Sequence, residues 1–392
     1  MSTPGRLRVM FYVQHLLGIG HLRRAATLVR ALDAAGLEVC LVSGGSVVPG
    51  LGIGGASFVQ LPAVRAVDLF FKELVDEHDQ PVDDAWKARR ARALMQAWRD
   101  FAPQALLFEL FPFGRRQMRF ELLPLLEAAK QSPDRPLIAC SVRDILVGQN
   151  KPGRNDEMLA LVEQYFDHVL IHGDPNLISF DQTFPHAEKL GEAAHYTGYV
   201  VDTAEVPVGP DCPGHDEVIV SAGGGAVGED LLKTAMAARA KSDAADAIWR
   251  VLVGYTVPEG NFQDIADAAA KYGDGIIVER ARPDFTTLLA NCRLSISQGG
   301  YNTVMETLHA KARAVVVPYA GGIETEQTLR ARLLSEKGVL QIADEATLTA
   351  DTLAATVNQA LAGPGARSMI DTGGGPRTAT YLQDWLAAWQ PA

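Results

Sequence analysis

Two α/β domains, each a doubly wound parallel sheet of Rossmann-like type, are the fold class this sequence predicts. Three observations carry it. The chain has 392 residues, enough for two domains at about 150 residues each. Short apolar runs alternate with amphipathic stretches in two successive series, which implies parallel strands joined by helices on both faces. Glycine-rich segments follow several of the apolar runs, where the strand-to-helix turns of such sheets fall.

The first series opens at 7–14 (LRVMFYVQ), read as a strand. Its basic and then briefly apolar lead-in has no small-residue cleavage site, so it is read as a strand and not as a signal peptide. Residues 21–35 place Leu22, Ala25, Ala26, Val29 and Leu32 at helical spacing, and Gly36 stops that helix. Strands are expected at 37–43, 104–109, 136–142 and 168–172, with helices at 84–101 and 117–130. The second series has strands at 217–221, 248–254, 275–279, 293–297 and 314–317, with helices between them. The run 200–216 holds three prolines and little periodicity, and is read as the linker. The domains are therefore 1–200 and 217–375, and an amphipathic C-terminal piece, 376–392, is expected to pack back on the first. Two such domains are expected to face each other across a cleft, with ligands outside the carboxyl ends of the strands.

Charge and composition exclude several classes. Lys and Arg number 36 against 47 Asp and Glu, a net charge of −11, the wrong sign for a nucleic-acid binder. The four cysteines, Cys40, Cys140, Cys212 and Cys292, lie far apart with no CxxC pair, so no structural zinc site is expected. No apolar run reaches the roughly 18 residues of a spanning helix. The acidic stretch Asp76-Glu77-His78-Asp79 and the pair Asp83-Asp84 read as solvated loops and not as a metal-binding pair.

Four loops can carry chemistry. Gly18-Ile19-Gly20-His21 follows the first strand and opens the first helix, a place where backbone N–H groups and the helix N-terminus favour an anion. It lacks the third glycine of a dinucleotide fingerprint, and the second strand ends Leu41-Val42-Ser43-Gly44 with no acid for a ribose, which disfavours a nicotinamide cofactor. His21 could act as acid or base, or hold a phosphate. The second loop, Ser221 to Gly228 with Gly223, Gly224 and Gly225 in succession, permits close backbone approach to a ligand at high entropic cost; it lacks a P-loop ending. The third runs Gln298-Gly299-Gly300-Tyr301-Asn302-Thr303 with Glu306 one turn into a helix; Thr303 and Glu306 also fit a capping box. The fourth contains Gly321, Gly322, Glu326 and Gln327, where the acid and amide suit sugar hydroxyls or merely favour a helix start.

Base candidates are His21, Glu109 and Asp144. Glu109 ends a strand, and burial there is expected to raise its pKa; a structural pairing with Arg115 or Arg116 competes with that role. Asp144 follows Arg143, and an ion pair between neighbouring segments competes with a catalytic role for it. Phe108, Phe111, Phe113 and Phe120 interleave with Arg115, Arg116 and Arg119. They could face a lipid-linked or anionic acceptor at a membrane surface, or form a strand end and the buried face of the next helix.

The stretches SQGGYNTVMETLHAKARAVVVPY and GGIETEQTLRARLLSEKGV resemble the C-terminal domain of glycosyltransferase family 28, and GIGHLRRAATLVRAL resembles that family's glycine-rich first loop. The resemblance implies the GT-B fold and sugar transfer from a nucleoside-diphosphate sugar, UDP- or dTDP-linked, to an acceptor hydroxyl, with no metal and no other cofactor. It implies that Glu306 binds the ribose, that Gly299 and Gly300 face the diphosphate, and that Glu326 and Gln327 contact the donor sugar. Gln298, Asn302, Thr303, Gly321 and Gly322 would complete that pocket, and Ser221 with Gly223–Gly225 would line its phosphate side. The backbone at Arg280 and Ala281 would read the base, and His21, with Gly18 and Gly20, would stand at the reacting end. The family often has an arginine after a TGNP-like turn, to neutralise the diphosphate; here Asp202 stands near that position, so Arg23, Arg24 or Arg282 would substitute, or the donor would lie differently. A nucleotide-sugar hydrolase in which His21 activates water, and a non-catalytic nucleotide-sugar-binding protein, are the competing functions. The partners implied are the donor and a small-molecule, glycan or lipid-linked acceptor, with a cytoplasmic location, peripheral at the inner membrane face in one reading.

Overall fold

The computed structural model describes residues 6–67, 73–146, 153–222, 228–255, 257–319, 326–363 and 370–390. Two compact units account for the chain. The first comprises Met1–Val201 with Asp371–Ala392, and the second Asp202–Ile370.

In the first unit the order is β1 (Arg8–Val13), α1 (Gly20–Ala34), β2 (Glu38–Ser43), β3 (Ser57–Gln60), β4 (Val64–Ala66), β5 (Leu74–Asp76), α2 (Asp84–Phe101), β6 (Ala105–Glu109), α3 (Arg119–Lys130), β7 (Leu137–Arg143), α4 (Arg154–Tyr165), β8 (His168–His172) and β9 (Ala194–Tyr196). Seven strands form one sheet in the order β3-β2-β1-β6-β7-β8-β9, with every neighbouring pair parallel. β4 and β5 form a separate antiparallel pair. The central strands β1, β6 and β7 are apolar on both faces because helices cover both. One core layer holds Met10, Tyr12, Phe108 and Leu122; the other holds Val9, Phe11, Leu28 and Leu382. The strand order reverses between β1 and β6, the point where open sheets of this kind bind ligands.

The second unit runs β10 (Val218–Ser221), α5 (Glu229–Ala238), β11 (Trp249–Val253), α6 (Glu259–Ala269), β12 (Ile276–Arg280), α7 (Phe285–Asn291), β13 (Leu294–Gln298), α8 (Tyr301–His309), β14 (Ala314–Val317), α9 (Glu326–Glu336), β15 (Gln341–Ile342) and α10 (Ala350–Ala362). Its six-stranded sheet has the order β12-β11-β10-β13-β14-β15, again parallel throughout. The reversal falls between β10 and β13.

The unit boundaries differ from the expected 217 and 375. Residues 202–216 go with the second unit because Asn291 on α7 holds them: its Oδ1 accepts from the Gly209 N–H at 3.0 Å and its Nδ2 donates to the Pro207 carbonyl at 2.9 Å. The return to the first unit comes at Asp371, whose carbonyl accepts from the Tyr199 N–H at 2.7 Å. α11 (Gly374–Ala388) then packs on α1. Its Leu382 joins the apolar layer beneath β1, and its Gln383 donates to the Ala35 carbonyl at 2.7 Å. No helix among the described residues is long and apolar enough to cross a membrane.

Candidate active site

The first unit gathers its chemistry at the β1/β6 reversal. His21 stands in the first turn of α1, and Glu109 is the last residue of β6. His21 Nδ1 lies 2.8 Å from Glu109 Oε1, and His21 Nε2 lies 2.9 Å from an Arg143 nitrogen. A guanidinium only donates and an ionised carboxylate only accepts. Nε2 is therefore the acceptor, and Nδ1 carries the proton given to Glu109. Arg24, one turn further along α1, also donates to Glu109 Oε1, and the Ser141 hydroxyl donates to Glu109 Oε2 at 2.8 Å.

Electrostatics follow from that geometry. Burial pushes the Glu109 carboxyl up, but the charge of Arg24 and the His21 hydrogen bond outweigh it and hold the group well below the usual carboxylate range. The expectation of a raised pKa is thus reversed. Its hydrogen-bond partners are Arg24, His21 and Ser141, and Arg115 acts on it through its charge. His21 is held neutral, with burial first and then Arg143 and Arg115 driving its pKa down to about 3 against the pull of Glu109. Arg115 reaches the same cluster: its Nε donates to the Gln14 carbonyl at 2.6 Å, and burial lowers its pKa to about 10. Arg24 and Arg115 act on the Glu109 carboxylate and Arg143 on the His21 ring, so three guanidiniums meet in one cluster, which suits an anion.

The other residues singled out in this half take different places. Arg24 is 3% exposed and committed to Glu109, so it does not stand ready for a phosphate; Arg23, the next residue back, is exposed. Gly18 and Gly20 are exposed at the start of α1. Asp144 is fully buried and accepts from the Tyr199 hydroxyl at 2.6 Å, which ties β7 to the chain near the unit boundary and does not bring the carboxylate to His21. Phe108, Phe111 and Phe113 are core residues, Phe120 packs against them, and Arg119 pairs with Glu157; that segment forms a buried helix face, not a lipid-facing patch. Ser141, His172 and the Arg143–His21 contact escaped the sequence reading. Their only signal was position, near the ends of two central strands.

In the second unit the β10/β13 reversal brings Ser221 and Gln298 to adjacent strand ends. The Ser221 hydroxyl is buried with no hydrogen-bond partner among the described residues. Gly228 has φ +118°, and a Cβ there would lie 2.4 Å from that of Ala222 and 3.1 Å from Gln298 Nε2. α8 begins at Tyr301 with Gly300 as its cap and no side-chain cap hydrogen bond. The capping box of Thr303 and Glu306 is therefore absent, because Thr303 already lies inside the helix, where its carbonyl accepts from the Thr307 hydroxyl at 2.7 Å. Its cap residue, Gly300, has no side chain to occupy the first N–H groups of α8. Asn302 and Glu306 lie half-buried on that helix.

Several donor-site expectations meet committed atoms. Arg282 is paired with Asp284 at 2.6 Å, and that hydrogen bond holds its guanidinium above the usual arginine range, so it is not a spare cation for a diphosphate. Arg280 donates to the Val257 carbonyl at 2.7 Å and pairs with Glu259. The Ala281 N–H extends the sheet by donating to Val253 at 2.8 Å, which takes it away from a base edge. Glu326 is buried against Arg330 at 2.6 Å. Gln327 Oε1 accepts from the Tyr319 N–H at 3.1 Å, and a Cβ on Gly299 would lie 3.1 Å from the Gln327 Cβ. Gly223, Gly224, Gly225, Gly321 and Gly322 lie outside the described residues. No group of three or more His, Cys, Asp or Glu among the described residues could hold a metal ion.

Comparison with known proteins defines the class first. The calicheamicin glycosyltransferase CalG4 superposes with a TM-score of 0.61 at 16% identity, covering 98% of this chain and 99% of that one. MurG of Acinetobacter baumannii gives 0.61 at 15%, covering 96% and 99%. The chain has the GT-B glycosyltransferase fold. Residues 219–370, most of the second unit, match the glycosyltransferase family 28 C-terminal domain. A UDP-N-acetylglucosamine–N-acetylmuramyl-(pentapeptide) pyrophosphoryl-undecaprenol N-acetylglucosamine transferase of Phenylobacterium zucineum is 30% identical over 166 residues, 41% of this chain and 44% of that protein. The same enzyme of Granulibacter bethesdensis is 37% identical over 82 residues, 21% of each. The chain thus spans less than half the length of the curated relatives it matches.

Proposed function

We propose that the protein transfers a sugar from a nucleoside-diphosphate sugar, UDP- or dTDP-linked, to an acceptor hydroxyl, without a metal. The observation that carries this reading is the His21–Glu109 hydrogen bond at the sheet reversal of the first unit. It fixes the histidine tautomer and leaves Nε2 as a base. Nε2 takes the acceptor's hydroxyl proton once Arg143 gives way; the acceptor oxygen bonds to the anomeric carbon as the bond to the diphosphate oxygen breaks. Glu109 stabilises the imidazolium that forms. The N-terminus of α8, which starts after Gly300, is assigned to the diphosphate. The half-buried Glu306 is assigned to the ribose, and Gly299, Gly300 and Asn302 to the phosphate side with it.

The curated relatives are named for a lipid-linked acceptor, and CalG4 for calicheamicin; a lipid-linked, glycan or small-molecule acceptor falls within this reading. A cytoplasmic location, peripheral at the inner membrane face for the lipid-linked case, goes with it. The test is purified protein with a panel of UDP-, dTDP- and GDP-sugars, with and without acceptor hydroxyls. Transfer with only slow donor leakage supports the proposal, while rapid stoichiometric sugar release without acceptor would make the protein a hydrolase. If neither His21→Ala nor Glu109→Gln lowers turnover, the catalytic assignment fails and a binding role replaces it.

A further inference from the structure

Glu109 is also the end of a buried hydrogen-bonded chain that leaves the site through β7 and β8. Ser141 Oγ lies 2.8 Å from Glu109 Oε2 and 2.8 Å from His172 Nε2. His172 Nδ1 lies 2.8 Å from Thr197 Oγ1, which in turn lies 2.8 Å from the Gly198 carbonyl oxygen. Glu109, Ser141, His172 and Thr197 are all 0% exposed, so bulk solvent does not reach the chain.

The protons do not suffice for every link. The carboxylate and the carbonyl only accept, each hydroxyl has one hydrogen, and a neutral imidazole has one. Four links therefore share three hydrogens. With the proton on Nε2, His172 donates to Ser141, Ser141 donates to Glu109, Thr197 turns to Nδ1, and the Gly198 carbonyl goes without. With the proton on Nδ1, His172 donates to Thr197, Thr197 donates to Gly198, Ser141 turns to Nε2, and Glu109 goes without. Burial and the charge of Arg24 lower the His172 pKa to about 3, so the missing proton is not supplied near neutral pH.

We propose that Ser141, His172 and Thr197 are positioning residues forming a two-state relay, which gives a hydroxyl either to Glu109 or to the Gly198 carbonyl but not to both. The Gly198 end is where the chain prepares to leave the first unit. Gly198 has φ +83°, and a Cβ on Gly374 would lie 2.5 Å from its carbonyl oxygen. Tyr199 and Val200 then pair with Asp371 and Gly373, beside the two places where the chain passes between units, after Val201 and before Asp371. The backbone state at that crossing is thereby coupled to the carboxylate that orients His21. The catalytic consequence rests on His21 being the base.

The test is ring 15N NMR of the full chain labelled at histidine, with pH profiles beside it. Ser141→Ala removes the acceptor for Nε2–H and should hold the His172 proton on Nδ1. Thr197→Val removes the partner of Nδ1 and should hold it on Nε2, while Thr197→Ser should match the wild type. Ser141→Ala also strips a hydrogen bond from Glu109, strengthening its pull on the His21 Nδ1–H. The acid limb of kcat/KM should then move to higher pH, by up to about one unit, with the donor KM unchanged; Thr197→Val should not move it upward. The same His172 tautomer in Ser141→Ala and Thr197→Val would overturn the relay. A doubly protonated His172 in the wild type at neutral pH would overturn it without any variant having to fold. If the wild type transfers no sugar, the functional reading fails, and the 15N shifts still decide the relay.

Discussion

A carboxyl group sealed from water ordinarily keeps its proton, and Glu109 does the reverse because Arg24 and His21 are sealed in beside it. Removing that charge therefore has two separable effects. Glu109→Gln leaves Arg24 buried without its counter-charge and should cost about 3–5 kcal/mol of stability, read by chemical denaturation, as well as turnover. His21→Ala removes a neutral group and should cost turnover, about 100- to 10,000-fold in kcat, with little change in stability. The two variants thus separate holding the site from using it. Both residues were legible in the sequence, since each follows or ends a strand where ligands gather. The sign of the Glu109 shift was not, because nothing in the spacing of α1 shows that Arg24 turns inward while Arg23 faces solvent. The sequence also did not show that Glu326 pairs with Arg330 or that Gln327 accepts from the Tyr319 N–H, because short polar groups at a helix start serve the helix as readily as a ligand.

The two reversals are built alike from a central parallel strand, a turn and a helix start, but the helices offer different things. α1 brings a side chain, His21, and α8 brings its bare N-terminus. Glu306→Ala should weaken donor affinity by about 1–3 kcal/mol, the loss of a charged hydrogen bond, and unchanged affinity in calorimetry would remove it from the site. α11 depends on glycine where it starts. A Cβ on Gly374 would lie 2.5 Å from the Gly198 oxygen and 2.7 Å from the Tyr199 oxygen, so Gly374→Ala should destabilise the first unit by about 1–3 kcal/mol, visible as a lower melting temperature. The buried strands could be read from sequence within a residue or so at their ends, because near-continuous apolar runs mark them. β3, β9 and β15 could not: they are short and none of their residues is buried, so no apolar period marks them.

For the whole molecule, acid should be the weak side. His21 and His172 are both held to about 3 from an ordinary 6.5. Between those values the unfolded chain binds the protons that the folded chain refuses, so stability rises with pH there and falls on acidification. The slope reaches about 1.4 kcal/mol per pH unit for each such histidine. Glu109 adds to it once the pH drops below the ordinary carboxylate range, because its folded pKa is depressed. Denaturation midpoints measured from pH 7 to pH 5 should fall steadily; a flat profile would mean that these histidines are charged in the native state. Two α/β units were legible from the twice-repeated alternation of runs. The exact seam was not, since the three prolines in 200–216 mark a break in periodicity but not which unit holds the segment; Asn291, far along the chain, decides that.

The return of α11 also sets an order of assembly on the ribosome. The second unit is contiguous in the chain and can close as soon as it emerges, whereas the first must wait for its last helix, although most of it is made earliest. Until 374–388 is synthesised, the apolar surface of α1 that α11 covers stays open to solvent and to chaperones. A stalled or truncated product would therefore carry a finished second unit tethered to an unfinished first one.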